Sequence, residues 1–166
     1  MAFSPRDPAY EARVRESFGR QAFMATIGAE LVRVEPGLVE IAFGHRADLT
    51  QQHGYLHAGV VAAVADSASG YAALTLTAPE AEVLAVEFKV NLLRPAKVGR
   101  FLARGRVVRP GRTLTVCRGV VVDPAAATAG GGGGDAGDGG DDVDEKPIAS
   151  MLSTIIAVSG RGRPRR

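Results

Sequence analysis

The chain has 166 residues, 46% of them hydrophobic, and its 20 basic and 18 acidic side chains give a formal net charge of +2. That length supports one respectable core and little more, so a single domain over 1–166 is expected. The one cysteine rules out an internal disulfide, and the lack of tryptophan with only three tyrosines and six phenylalanines is poor material for stacking nucleic-acid bases.

From the N-terminus, Met1 to Pro8 contains no basic segment followed by an apolar run, so no secretory signal is read there. No apolar run reaches membrane-spanning length. A cytoplasmic protein with no membrane partner is expected. Tyr10, Val14 and Phe18, with Phe23 beyond, fall at helical spacing, so 1–24 is predicted to hold one short amphipathic helix with Pro8 in its first turn. Gly28 leads into Ala29 to Glu35, and Pro36-Gly37 makes a turn before Leu38 to Phe43. Two strands in a hairpin fit this pattern. A loop from Gly44 to Thr50 carries the chain onward.

The stretch Gln51-Gln52-His53-Gly54-Tyr55-Leu56-His57-Ala58-Gly59 runs into an apolar segment from Val60 to Leu74 that offers hydrophobic residues to every face of a helical wheel. Such a helix is wrapped by protein. Between Leu49 and Pro79 its Asp66 is the only formally charged side chain, histidines aside. A carboxylate among Val and Ala is paired, hydrogen-bonded or used, because removing it from water costs several kcal/mol or raises its pKa. If the helix begins near His57, the Ala58 and Gly59 N–H groups belong to its first turn and lack intrahelical partners. With the helix dipole behind them they are suited to an oxyanion, such as a polarised acyl carbonyl.

After the helix, Val86, Phe88, Val90 and Leu92 alternate with Glu87, Lys89 and Asn91, a strand with one wet face. Strands follow over Arg100 to Arg109 and Thr113 to Asp123, joined at Pro110-Gly111-Arg112, with a last one in Ile148 to Val158. Cys117 lies inside an apolar run and reads as a buried structural thiol. The order of elements indicates an α+β domain, an antiparallel β-sheet wrapped around a long central α-helix. Residues 124–146 are almost wholly Gly, Ala and Asp and are expected to form a disordered inserted loop. Their Gly-Asp pattern is too irregular for a calcium-binding repeat.

Six of the 18 acids, Asp135, Asp138, Asp141, Asp142, Asp144 and Glu145, fall in that insertion, leaving 12 acids against 20 basic residues elsewhere. The remainder is therefore basic. Arginines from Arg94 to Arg118 and a basic tail over 160–166 could meet phosphates, while no recognised motif supports nucleic acid. His45, His53 and His57 fall within thirteen residues. Gly54 and the irregular backbone argue against a helical His pair, and no further ligand stands at metal spacing, so no metal is expected.

The stretch Gln51 to Gly59 followed by Ala65-Asp66-Ser67-Ala68 resembles the His-Gly-Gly and downstream Asp motif of hotdog-fold acyl-CoA thioesterases of the phenylacetate-degradation (PaaI-type) family. The resemblance extends from about Arg20 to Val122 and resumes in the last strand. Ala58 stands where the family usually has glycine, and Gln51 where many members have asparagine. The resemblance implies a thioester hydrolase without a cofactor, with coenzyme A present only as part of the substrate. It implies Asp66 as nucleophile or general base, with Gln51, His57, Ala58 and Gly59 around the carbonyl and Gly54, Tyr55, Ser67, Gly70, Ala85 and Arg94 binding substrate. A homodimer or homotetramer with shared sites follows from the family and from the exposed strand edges of a lone sheet. Non-hydrolytic thioester binding, for which Ala58 is the argument, and a purely structural subunit are the other classes.

Overall fold

The computed structural model describes residues 3–125 and 147–159; most of the inserted loop and the basic tail lie outside these described residues. Helices α1 (Tyr10–Gly19) and α2 (Ala22–Ile27) precede strands β1 (Glu30–Glu35) and β2 (Leu38–Gly44). A 3-10 turn at Ala47–Leu49 leads to helix α3 (Ala58–Leu74), followed by β3 (Ala81–Leu92), β4 (Arg100–Arg109), β5 (Leu114–Val122) and β6 (Pro147–Ser159). All six strands form one sheet in the order β1-β2-β4-β5-β6-β3, antiparallel throughout. The long helix packs across one face of it. This is the expected hotdog arrangement.

The β1–β2 hairpin turns at Pro36-Gly37, where proline presets φ and Gly37 takes φ +78° at no steric cost. A pair of glycines sets the distance between layers. Gly105 and Gly119 are cross-strand partners on β4 and β5, and a Cβ on Gly105 would lie 2.3 Å from the backbone of Ala68. One on Gly119 would meet Ser69 Oγ at 3.0 Å. The helix thus rests in a notch with its backbone against the sheet. Ala65, Ala68 and Ser69 are buried in that contact, which turns the neighbouring Asp66 away from it.

Helix α3 ends on a charged clamp rather than a glycine cap. The Arg13 guanidinium donates to the carbonyls of Ala78 at 2.8 Å, Ala81 at 2.9 Å and Leu74 at 3.1 Å, and also to that of Thr77. Its Nε lies 3.0 Å from the buried carboxylate of Asp7. Carbonyls at and just beyond the helix end thereby gain a cation that also suits the negative end of the dipole, in addition to the Thr77 and Ala81 N–H groups that donate to Leu74 and Ala78.

The N-terminal region departs from the expected single helix. The chain breaks at Arg20-Gln21, with Gln21 extended at φ −81° and ψ 90°. That break resets the helical phase, so Met24 and Ile27 face the core while Phe23 is 55% exposed. Pro8 stands ahead of α1 rather than in its first turn, and Asp7 Oδ1 accepts the Ala9 N–H at 2.9 Å. The expected alternation of β3 also fails. A bulge between Ala85 and Glu87 shifts the register, and Leu84, Val86, Phe88 and Leu92 are all exposed, because β3 is an edge strand with no neighbour on its outer side.

Candidate active site

The loop ahead of α3 is held by its own backbone. Gln51 N–H donates to Tyr55 O at 2.9 Å, Gly54 N–H returns to Gln51 O at 2.9 Å, and His57 N–H donates to Leu49 O at 2.9 Å. Gly54 turns this loop at φ +78°, and its carbonyl lies 2.9 Å from His45 Nε2, which donates to it as N–H. His45 and Gly54 therefore build the loop, and Gly54 lines neither of the cavities described below.

His57 is the N-cap of α3. Its Nδ1 accepts the Gly59 N–H at 2.9 Å, which corrects the expectation that both first-turn amides are free. An imidazole two residues upstream satisfies Gly59, as Ser or Asp does at other N-caps. The Ala58 N–H keeps no partner among the described residues and is the donor that remains. Gln51 complements it. Its Oε1 accepts the His53 N–H in a very short contact, leaving the side-chain NH2 to donate elsewhere.

Gln51, Tyr55, Ala58, Val61 and Arg94 line a cavity of about 350 Å³ at the N-terminal end of α3. Asp66, Ser67, Gly70 and Ala85 line a different one, of about 190 Å³, together with Gln21 and Tyr71. Eight of the eleven site residues read from the sequence thus fall into two groups of four in two cavities, while Gly54, His57 and Gly59 line neither. Along α3 the eight-residue separation of Ala58 and Asp66 is about 12 Å at 1.5 Å per residue. One small carbonyl cannot touch both within a single chain.

Asp66 is half-buried, and its Oδ1 has no hydrogen-bond partner among the described residues. Burial raises its carboxyl above the ordinary carboxylate range, with no cation among the described residues to oppose it. An acid left in this state is equipped to take a proton. Cys117, by contrast, is fully buried in β5, where burial pushes its thiol up to about 12. It packs the core.

Sequence reasoning missed Gln21. It reaches the Asp66 cavity from the break between α1 and α2, with its amide 3.3 Å from Ser67 Oγ. Forty-six positions separate the pair, and no local spacing reveals such a contact.

The family model for the thioesterase superfamily matches residues 53–128, which takes in the loop from His53 onward and all of α3. A crystallographically solved thioesterase family protein from Silicibacter pomeroyi is 46% identical, covers 91% of this chain and 99% of its own, and superposes with a TM-score of 0.77. The chain belongs to the thioesterase superfamily. The 1,4-dihydroxy-2-naphthoyl-CoA hydrolase of Listeria monocytogenes is 30% identical over 55% of this chain and 74% of its own length. The E. coli PaaI protein from the phenylacetic acid degradation operon, at 16% identity, covers 91% of this chain and 94% of its own with a TM-score of 0.74 and shares the fold. As a member of this superfamily the protein is a thioester hydrolase.

Proposed function

We propose that this thioesterase hydrolyses acyl-CoA at sites that two chains complete together. The observation that carries this reading is the separation of its two halves, Ala58 and Gln51 in one cavity and Asp66 in another. A second copy with its α3 antiparallel brings its Asp66 beside the first copy's Ala58. Strand β3 supplies the means, because it is an edge with exposed Leu84, Val86, Phe88 and Leu92. Such an edge pairs readily with its own copy about a two-fold axis.

In the assembled site the thioester carbonyl oxygen accepts from the Ala58 N–H and the Gln51 side-chain amide, and both bonds strengthen as charge develops on that oxygen. Asp66 delivers the attack, either directly as nucleophile or by taking a proton from water. The carbon–sulfur bond then breaks, and coenzyme A leaves as thiolate. Tyr55, Ser67, Gly70 and Ala85 shape the walls around the acyl group. Arg94, exposed at the rim of the Ala58 cavity, meets the phosphates of the coenzyme.

The test mixes two inactive chains, Asp66→Asn and a double variant Gln51→Ala/His57→Ala. Mixed dimers each contain one intact site, so thiol release from acyl-CoA should recover to a measurable fraction of the native rate. A fully active monomer at sedimentation equilibrium would overturn the shared site. Release of free thiol from short, medium, long and aromatic acyl-CoAs identifies the acyl class.

A further inference from the structure

Beside Asp66 the structure holds an uncharged polar pair that neither the helix nor the loop explains. Gln21 Nε2 lies 3.3 Å from Ser67 Oγ, and Gln21 Oε1 lies 3.4 Å from the same hydroxyl. Both separations are at the long end for a hydrogen bond, so the contact gives way easily to a better partner. Ser67 is buried, Gln21 is half-buried, and both line the cavity into which Asp66 opens. The break between α1 and α2 falls at Gln21, where the extended backbone sends the side chain across to α3. The rest of the wall includes the polar Ser17, Tyr71 and Glu82 beside Gly70, Leu74, Val83 and Ile155, and a Cβ added at Gly70 would meet nothing within 4 Å. The cavity is therefore open beside the acid, and Gln21 with Ser67 supplies polar atoms to that space.

We propose that Gln21 and Ser67 hold the hydrolytic water against Asp66, so that Asp66 acts as general base. The inference rests on the thioesterase reading above. A water that one carboxylate oxygen holds by a single hydrogen bond is poorly oriented, and stable sites give it two to four polar partners. Here the Asp66 carboxylate accepts one proton of the water on the side that lines the cavity, Gln21 Oε1 accepts the other, and the Ser67 hydroxyl donates to its oxygen until attack. The water oxygen bonds to the thioester carbonyl carbon as its proton passes to Asp66. The carbonyl π pair moves to oxygen, then returns as the carbon–sulfur bond breaks. The departing thiolate takes the proton from Asp66, which leaves free acid, coenzyme A and the original carboxylate.

The test uses the full-length protein and the best acyl-CoA of the panel. Gln21→Met keeps length and removes every hydrogen bond; Ser67→Ala removes only the hydroxyl and, lying within α3, does not depend on the α1–α2 break. Misplacing a reactant costs about 10- to 100-fold, so each variant should lose kcat by that factor with KM within about twofold of native. The solvent deuterium isotope effect on kcat should rise as proton transfer becomes more fully rate-limiting. Native kcat in both variants, or a raised KM at native kcat, would overturn the water-holding role and leave the pair as a wall of the acyl pocket. If the native protein itself releases no thiol from any acyl-CoA, the thioesterase reading fails first, which is a separate result. Should Gln21→Met fail to fold, a native kcat in Ser67→Ala overturns the proposal, and a reduced kcat at unchanged KM supports it.

Discussion

His57 Nδ1 accepts the Gly59 N–H at 2.9 Å, so the imidazole ends the helix as its cap, and its proton is held on Nε2. The role needs an acceptor at that position more than it needs an imidazole. His57→Asn should therefore keep both stability and most turnover. His57→Ala should cost about 1 kcal/mol, the usual price of a lost N-cap, and should loosen the loop that presents the Ala58 amide. Chemical denaturation of the two variants beside their thiol-release rates checks this. An inactive but fully stable His57→Asn would show that the ring itself touches substrate.

Asp66→Asn should abolish turnover with the fold intact. The pH dependence follows from the direction of its shift. Burial raises the carboxyl in the folded state, so the folded protein binds this proton more tightly than the unfolded chain does. The favourable contribution is full below the unfolded value near 3.9 and is lost as pH rises through the folded one. The native protein should thus lose stability relative to Asp66→Asn over that interval, and at pH 7 the variant should melt no lower than native. The acid limb of kcat/KM should lie above the ordinary carboxylate range. Paired melting curves from pH 4 to 8 and a pH–rate profile measure both.

Gln51 and Gln52 are adjacent, yet only Gln51 lines the Ala58 cavity while Gln52 is exposed. Gln51→Ala should lower kcat by about 10- to 1000-fold, the range for removing a donor to developing charge, with a smaller effect on KM. Gln52→Ala should change neither. Steady-state kinetics of the two variants would reveal a one-residue error in this loop, because the effects would exchange.

Much of this was legible in the sequence because it rests on local pattern. The start of α3 at His57, its single acid, and the strands on either side of Pro110-Gly111 all follow from periodicity and turn chemistry. Three features were not. The bulge at Val86 breaks an alternation that the residues themselves present as unbroken, and its exposure depends on β3 being an edge. The break at Gln21 has a helical pattern running through it, and packing of Met24 and Ile27 decides the new phase. The capture of Gly59 by His57 depends on one side-chain rotamer. In each case the deciding partner is distant in sequence or set by a torsion angle.

Arg13→Ala should be among the most damaging changes outside the site. It removes donors from the carbonyls of Leu74, Thr77, Ala78 and Ala81 and strips the partner from buried Asp7. Leu74 O and Ala78 O keep backbone donors of their own from Thr77 and Ala81, so the loss is chiefly that of the ion partner to a buried charge, about 3 to 5 kcal/mol. Arg13→Lys should recover little, since one ammonium cannot reach what a planar fork spans. Hydrogen exchange localised to the end of α3 would report the loss directly.

Deleting 129–145 should leave melting temperature and turnover close to native. The register sets Val122 opposite Pro147, so a short turn can join β5 to β6, and shortening a loop changes closure entropy only slowly. Calcium-dependent activity that disappears with the deletion would contradict this.

The notch formed by Gly105 and Gly119 has a consequence for how the gene tolerates change. Neither residue lines the Asp66 or Ala58 cavity, yet a single methyl on Gly105 would drive the helix backbone off the sheet and carry Asp66 with it. In a saturation library selected for thioester cleavage, position 105 should accept no other amino acid, as sharply depleted as position 66. Position 119, whose nearest obstacle is a serine hydroxyl at 3.0 Å, should admit alanine in a fraction of survivors. A depletion map taken alone would then mark Gly105 as part of the active site, and only a parallel selection for folding would separate the residue that seats the helix from the residue that does the chemistry.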